Sequence, residues 1–299
     1  MVARLRRVIA AAAAPALLLA GGCASGGEQA TVVVTSTSYV PAESAAVGEQ
    51  GSSPAPSASA ADAASDAGDA QGVLEKAAGA ATAAYGGSIG LATVGERGAI
   101  TAGFTEASPA WSTIKVPIAI AALWADPSAT GDAQLAITAS DNAAAERLYA
   151  VAGPEAVNAV LAEAGLGAQV NTVKTRAEFS TFGQTQLGVA DEAVLANRLA
   201  CVTGAAPVIA LMGQVDPSQS YGLGTLGAYF KGGWGPDEGG AYQVRQFGLV
   251  PRPEGGYAPV AVTALPADGT YETGQAMLNQ AAQVLGAAAG TLPVAACQP

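Results

Sequence analysis

Residues 109–124 read Pro-Ala-Trp-Ser-Thr-Ile-Lys-Val-Pro-Ile-Ala-Ile-Ala-Ala-Leu-Trp. The pattern predicts an apolar helix over 112–124 that opens on Ser112 and carries one charge, Lys115. A spacing of three puts the hydroxyl and the amine on one helical face, adjacent by a turn. A serine needs a base to become a nucleophile, and a lysine held among Ile114, Val116, Pro117 and Ile118 can be desolvated enough to serve. The helix N-terminus adds positive potential where an oxyanion would form. Chance supplies about a quarter of one Ser-x-x-Lys match in such a chain. By itself, therefore, the motif reads equally well as a buried helix with a capping serine.

Composition narrows the chemistry further. The chain has 299 residues and no histidine, which excludes a Ser-His-Asp triad, a Cys-His pair and any His-ligated metal. Any general base must be Lys, Glu, Asp or Tyr. Thirteen Lys and Arg against 24 Asp and Glu give a net charge of −11, which argues against a nucleic-acid partner. No metal or nucleotide motif is present, so no cofactor is expected. Only 5% of residues are aromatic, so the core must be built from closely packed small side chains.

Outward from the central helix, the periodicity predicts a helix at 73–85 and a hairpin of strands at 88–94 and 99–104. Helices follow at 142–152, at 154–164 with a proline in its first turn, and at 191–201. Strands are expected at 228–231, 242–250 and 258–264, then a closing helix at 270–288. A hairpin, then helices, then three strands and a helix imply an α+β domain whose sheet is assembled from both ends of the chain.

Two further motifs sit in this frame. Ser140-Asp141-Asn142 comes just before a helix, and Lys231-Gly232-Gly233 is read as ending a strand. The order Ser-x-x-Lys, Ser-Asp-Asn, Lys-x-Gly resembles the class A β-lactamases and penicillin-binding proteins over about residues 72–297. The resemblance implies a β-lactamase/transpeptidase-like fold: an antiparallel five-stranded sheet, flanking helices and an inserted, shortened all-helical region. It implies Ser112 as the acylated nucleophile, Lys115 as its base and Ser140 as proton donor to the leaving nitrogen. Lys231 would hold Ser140 and the substrate carboxylate, and Asn142 the substrate amide, while Asp141 holds the loop. Gly233 and Trp234 would line the substrate site, with the backbone N–H groups of Ser112 and Trp234 as the oxyanion hole.

The departures matter as much. The family carries Thr or Ser after its second lysine, and this chain has Gly232. Arg245 on the next strand is a candidate replacement anion holder, or else a surface strand arginine. The family's deacylating glutamate lies in an Arg-x-Glu-x-x-Leu-Asn pattern; Arg176-Ala177-Glu178 supplies the first half and Phe179-Ser180-Thr181-Phe182 does not supply the second. Glu178 is thus either that base or a solvated loop acid. Two classes stay open: a serine hydrolase, slow in deacylation, acting on β-lactams or D-Ala-ended peptidoglycan stems, and an inactive lipoprotein of the same fold that binds a cell-wall ligand or partner.

The N-terminus reads as an address. Arg4, Arg6 and Arg7 precede an apolar run at 8–20 and then Gly21-Gly22-Cys23, so residues 1–22 are expected to be a signal peptide. Small residues before Cys23 resemble a lipobox with Ala20 where leucine is usual, making Cys23 the lipidation site and the membrane the first partner; plain cleavage and secretion is the alternative. Losing those three arginines leaves 10 basic residues against the same 24 acids, or −14, so any hold on a membrane would come from lipid rather than charge. The Ala/Ser/Gly/Pro-rich stretch 24–70 is expected to be a disordered tether reaching roughly 35–40 Å, followed by the domain at 71–299. The two remaining cysteines, Cys201 and Cys297, form a disulfide in an exported chain, or else stay as buried thiols.

Overall fold

The computed structural model describes residues 60–299. The signal peptide expected at 1–22, the lipidation expected at Cys23 and the tether expected as far as residue 59 lie outside the described residues. Helix α1 (Ala60–Tyr85) starts well before residue 73, so positions 60–70, expected as tether, are helical. The alanines of that stretch have the highest helix propensity and extend a helix whose later turns are packed. Strands β1 (Ser88–Gly95) and β2 (Gly98–Gly103) form the expected hairpin. A short strand β3 (Ser108–Pro109) leads into a 3-10 turn, Trp111–Ile114, and then α2 (Lys115–Ala125). Pro117 is accepted in the first turn of α2, where its missing N–H would have had no helical partner.

The helices α3 (Thr130–Thr138) and α4 (Asn142–Glu163) follow, the latter broken at Gly153, whose φ of 71° no β-carbon tolerates well. This break separates the two helices expected at 142–152 and 154–164. A loop then reaches β4 (Gln186–Leu187), which pairs with β3, and α5 (Val189–Arg198) and α6 (Ala206–Met212) lead to the last strands. These are β5 (Tyr229–Pro236), β6 (Tyr242–Pro251) and β7 (Tyr257–Leu265), closed by α7 (Tyr271–Ala287). β5 does not end at Gly233; it runs on through Trp234 to Pro236.

The main sheet is antiparallel with order β2-β1-β7-β6-β5. The N-terminal hairpin is joined to the C-terminal strands through β1 and β7, where Leu91 faces Val262. Side chains alternate between two cores, as strand geometry requires. Val244, Val260, Val262 and Ala264 meet α1 and α7, whereas Phe247 and Ala261 meet the core of α2, α4 and α5. Both faces are covered, so residues 243–250 of β6 are all buried. Cys201 and Cys297 are joined as a disulfide with Cα atoms 5.4 Å apart, tying the C-terminus to the end of α5's extension. Among the described residues no helix is long and apolar enough to cross a membrane.

Candidate active site

Ser112 lies in the 3-10 turn rather than in the α-helix proper. With three residues per turn, positions i and i+3 eclipse, so Ser112 and Lys115 leave the chain in the same direction. The preceding residue, Trp111, has φ of 53°, a conformation costly for a bulky side chain. Its indole N–H donates to Gln243 Oε1 at 3.2 Å, and its ring meets Phe179 edge-on at 5.0 Å.

Lys115 is 1% exposed. Its Nζ donates to the Ser140 carbonyl at 2.6 Å and to Asn142 Oδ1 at 2.7 Å, and lies 3.4 Å from Ser140 Oγ. Burial brings its pKa down to about 8, against the opposing charges of Asp141 and Glu146. Lys231 comes from the far side: its Nζ donates to Ser140 Oγ at 2.9 Å and to the Gly232 carbonyl at 2.8 Å. Burial, and then the neighbouring charge of Lys115, hold Lys231 well below the ordinary lysine range. One hydroxyl therefore stands between two amines, and both give up a proton more readily than an ordinary lysine.

Ser140 reaches that point by adopting φ of 57°. Asp141 then caps α4, its carboxylate accepting the Ala144 N–H at 2.6 Å, which is the loop-holding part the motif implied. Beneath Ser112 runs β5. A β-carbon at Gly233 would come within 2.8 Å of the Ser112 nitrogen, and one at Gly235 within 2.6 Å of the Trp111 ring. Glycine alone lets the strand backbone pass this close. At Gly232, in contrast, an added β-carbon meets nothing nearer than 3.8 Å, so its missing hydroxyl is not a steric requirement.

A cleft of about 430 Å³ opens over these groups, lined by Ser112, Ser140, Asn142, Glu178 and Trp234 among others. A larger cavity of about 640 Å³, near Asp69 and Arg252, contains none of the motif residues. Glu178 is on the rim and its side chain is 57% exposed, paired with Arg176 at 3.0 Å. Its own backbone N–H and then Arg176 hold its carboxyl below the usual range, which weakens it as a base. Gln184 is buried in the loop that carries it and bonds Arg176 N, Arg176 O and Ser180 O, pinning the loop shut. Arg176 also donates to the Pro236 carbonyl at the end of β5.

Arg245 is not in the cleft. Its side chain is fully buried against Glu192, with all its donors satisfied inside the protein, so it is neither a surface arginine nor a free anion holder. It shares the face of β6 that carries Phe247 toward α5, and strand alternation left that open because either face of the strand could have been the wet one. Sequence reasoning also missed Glu146, Lys174 and Tyr242, which line the cleft. Glu146 was legible in principle, since it follows Asn142 by one helical turn and must share its face.

No family model and no curated protein matches this sequence. Solved structures do. The TLA-1 extended-spectrum β-lactamase aligns with a TM-score of 0.61 at 12% identity, covering 74% of this chain and 99% of that one. A class A β-lactamase from Mycobacterium abscessus aligns at 0.59 and 15%, covering 73% and 99%. A β-lactamase from Sphaerobacter thermophilus aligns at 0.55 and 19%, covering 75% and 98%. The chain has a β-lactamase-like fold over almost the full length of these structures.

Proposed function

We propose that this protein is a cell-envelope serine hydrolase that works by acyl transfer on Ser112, with β-lactams or D-Ala-ended peptidoglycan stems as its substrate class. The observation that carries this reading is the meeting of Lys115 and Lys231 on Ser140 Oγ, which lines the same cleft as Ser112. An unprotonated Lys115 amine takes the Ser112 proton as Oγ bonds to the substrate carbonyl carbon. The oxyanion is met by the N–H groups of Ser112 and Trp234, a reading supported by the close pass of the neighbouring Gly233 under the Ser112 nitrogen. Collapse breaks the carbonyl C–N bond. Ser140 protonates the departing nitrogen and is itself reprotonated by the Lys115 ammonium, leaving an acyl-serine. Water must then hydrolyse that ester, releasing the acid and restoring the Ser112 hydroxyl.

Deacylation is the slow half. Glu178 is solvated and paired with Arg176, so it activates water poorly. The substrate carboxylate also loses two grips, since Gly232 has no hydroxyl and Arg245 is spent elsewhere. The reading further includes export and lipid anchoring through Cys23, supported by the sequence pattern at 1–23 alone. Incubating the domain with a fluorescent penicillin and measuring intact mass tests the chemistry. The parent should gain one acyl group, located on Ser112 and retained for minutes or longer, and Ser112→Ala should gain none. An unlabelled parent at high probe concentration sinks the proposal.

A further inference from the structure

Arg245 and Glu192 form the one ion pair among the described residues in which both side chains have 0% exposure, with Nη2 at 2.8 Å and Nε at 3.1 Å from Glu192 Oε2. The remaining donors of Arg245 go to backbone: the Ser108 carbonyl at 3.1 Å, Pro109 at 2.8 Å and Leu187 at 3.0 Å. The other oxygen of Glu192 lies 2.6 Å from Thr113 Oγ1, which is itself 2.7 Å from the Ala110 carbonyl. The pair therefore holds the chain on both sides of Ser112: at Ser108 and Pro109 before the turn, and at Thr113 within the turn, one residue after Ser112. It also abuts the underlying strand, because Arg245 is the cross-strand partner of Gly233 in β6 and β5.

A buried ion pair is a costly way to hold a core together, since apolar residues of like volume stabilise as well or better. What it provides here is direction. The turn contains a tryptophan at positive φ and a serine whose backbone nitrogen lies close against Gly233 of β5, a conformation that persists only when its surroundings over-determine it. We infer that Thr113, Glu192 and Arg245 are positioning residues that hold Ser112 in its reactive geometry. The inference rests on the acyl-transfer reading for its catalytic consequence, though not for its structural one.

The test uses four variants, each read by the rate of Ser112 acylation with a penicillin, by thermal melting, and by amide hydrogen exchange of the 108–115 segment. Thr113→Val removes only the hydroxyl and Thr113→Ser restores it. The paired change Glu192→Leu with Arg245→Met keeps the fold without the charges, and Glu192→Gln keeps the shape without the ion pair. Displacement of a reacting group by about 1 Å costs about 10²-fold. Thr113→Val and the paired variant should thus acylate about 10–10²-fold slower at nearly unchanged melting temperature, while Thr113→Ser stays near the parent. Glu192→Gln should fall between them, and exchange at 108–115 should rise in the paired variant. Parental rates in Thr113→Val and the paired variant overturn the inference. If the parent itself is never acylated, the acyl-transfer reading fails, and the exchange arm still decides: unchanged protection at 108–115 in the paired variant refutes positioning, and lost protection supports it.

Discussion

Lys115 sits where its own charge is disfavoured, and that single fact sets how the site should respond to pH. With a pKa of about 8, a minority of molecules at neutral pH carry the free amine that can accept the Ser112 proton. The acylation rate should rise with pH up to about 8 and then level off. Burial is the main cause of the depression, and the carboxylates of Asp141 and Glu146 oppose it by favouring the ammonium form. Glu146→Gln removes one of them, so the pKa of Lys115 should fall further and the rising limb should move to lower pH. Rate–pH profiles of parent and variant check this; a limb that stays put or moves upward means that Glu146 does not act on Lys115.

At the scale of elements, the closest approach in the site is that of β5 to the 3-10 turn, and it is governed by which glycine is where. A β-carbon at Gly233 would lie 2.7 Å from the Ala110 carbonyl and 2.8 Å from the Ser112 nitrogen, both backbone atoms that cannot swing aside. Gly233→Ala should therefore lose about 1–3 kcal/mol of unfolding free energy and acylate more slowly, because strand or turn must shift. Gly232→Ser meets only ordinary contacts and should unfold at nearly the parental midpoint. Urea titrations of the two variants discriminate; equal midpoints would mean that the turn is not wedged against the strand. The helices α3 and α6 were not foreseen because both are short: α3 is rich in small residues and α6 is apolar all round, so neither shows a clear apolar stripe. The break in α4 was foreseen, because Gly153-Pro154 is a local signal with one structural meaning.

For the whole molecule, the sheet joins the first and last thirds of the described chain, and the Cys201–Cys297 bridge closes a separation of 96 residues. A loop of that size is worth about 4–5 kcal/mol in the loop-closure model. The bridge thus secures the C-terminal end of the domain. If Cys23 carries the lipid, Cys23→Ala should move the protein from the membrane fraction to the soluble exported fraction. Retention in the membrane fraction would mean that the apolar run at 8–20 is itself the anchor.

The fold class was readable from the chain alone, and Ser112, Lys115, Ser140 and Lys231 could be picked out as candidates because each motif is local in sequence. The hairpin, the break at Gly153 and the presence of three C-terminal strands followed from period and punctuation, which are also local. The partners of the charged side chains were not readable. Whether Arg245 met solvent, a ligand or Glu192 depended on α5 covering that face of β6, and the two residues stand far apart in sequence. Glu178 likewise matched a pattern, yet its environment came from Arg176 and from the loop closed by Gln184. Charge states and anion holders are set by desolvation and by neighbours in space, and only the packed tertiary structure decides which neighbours those are.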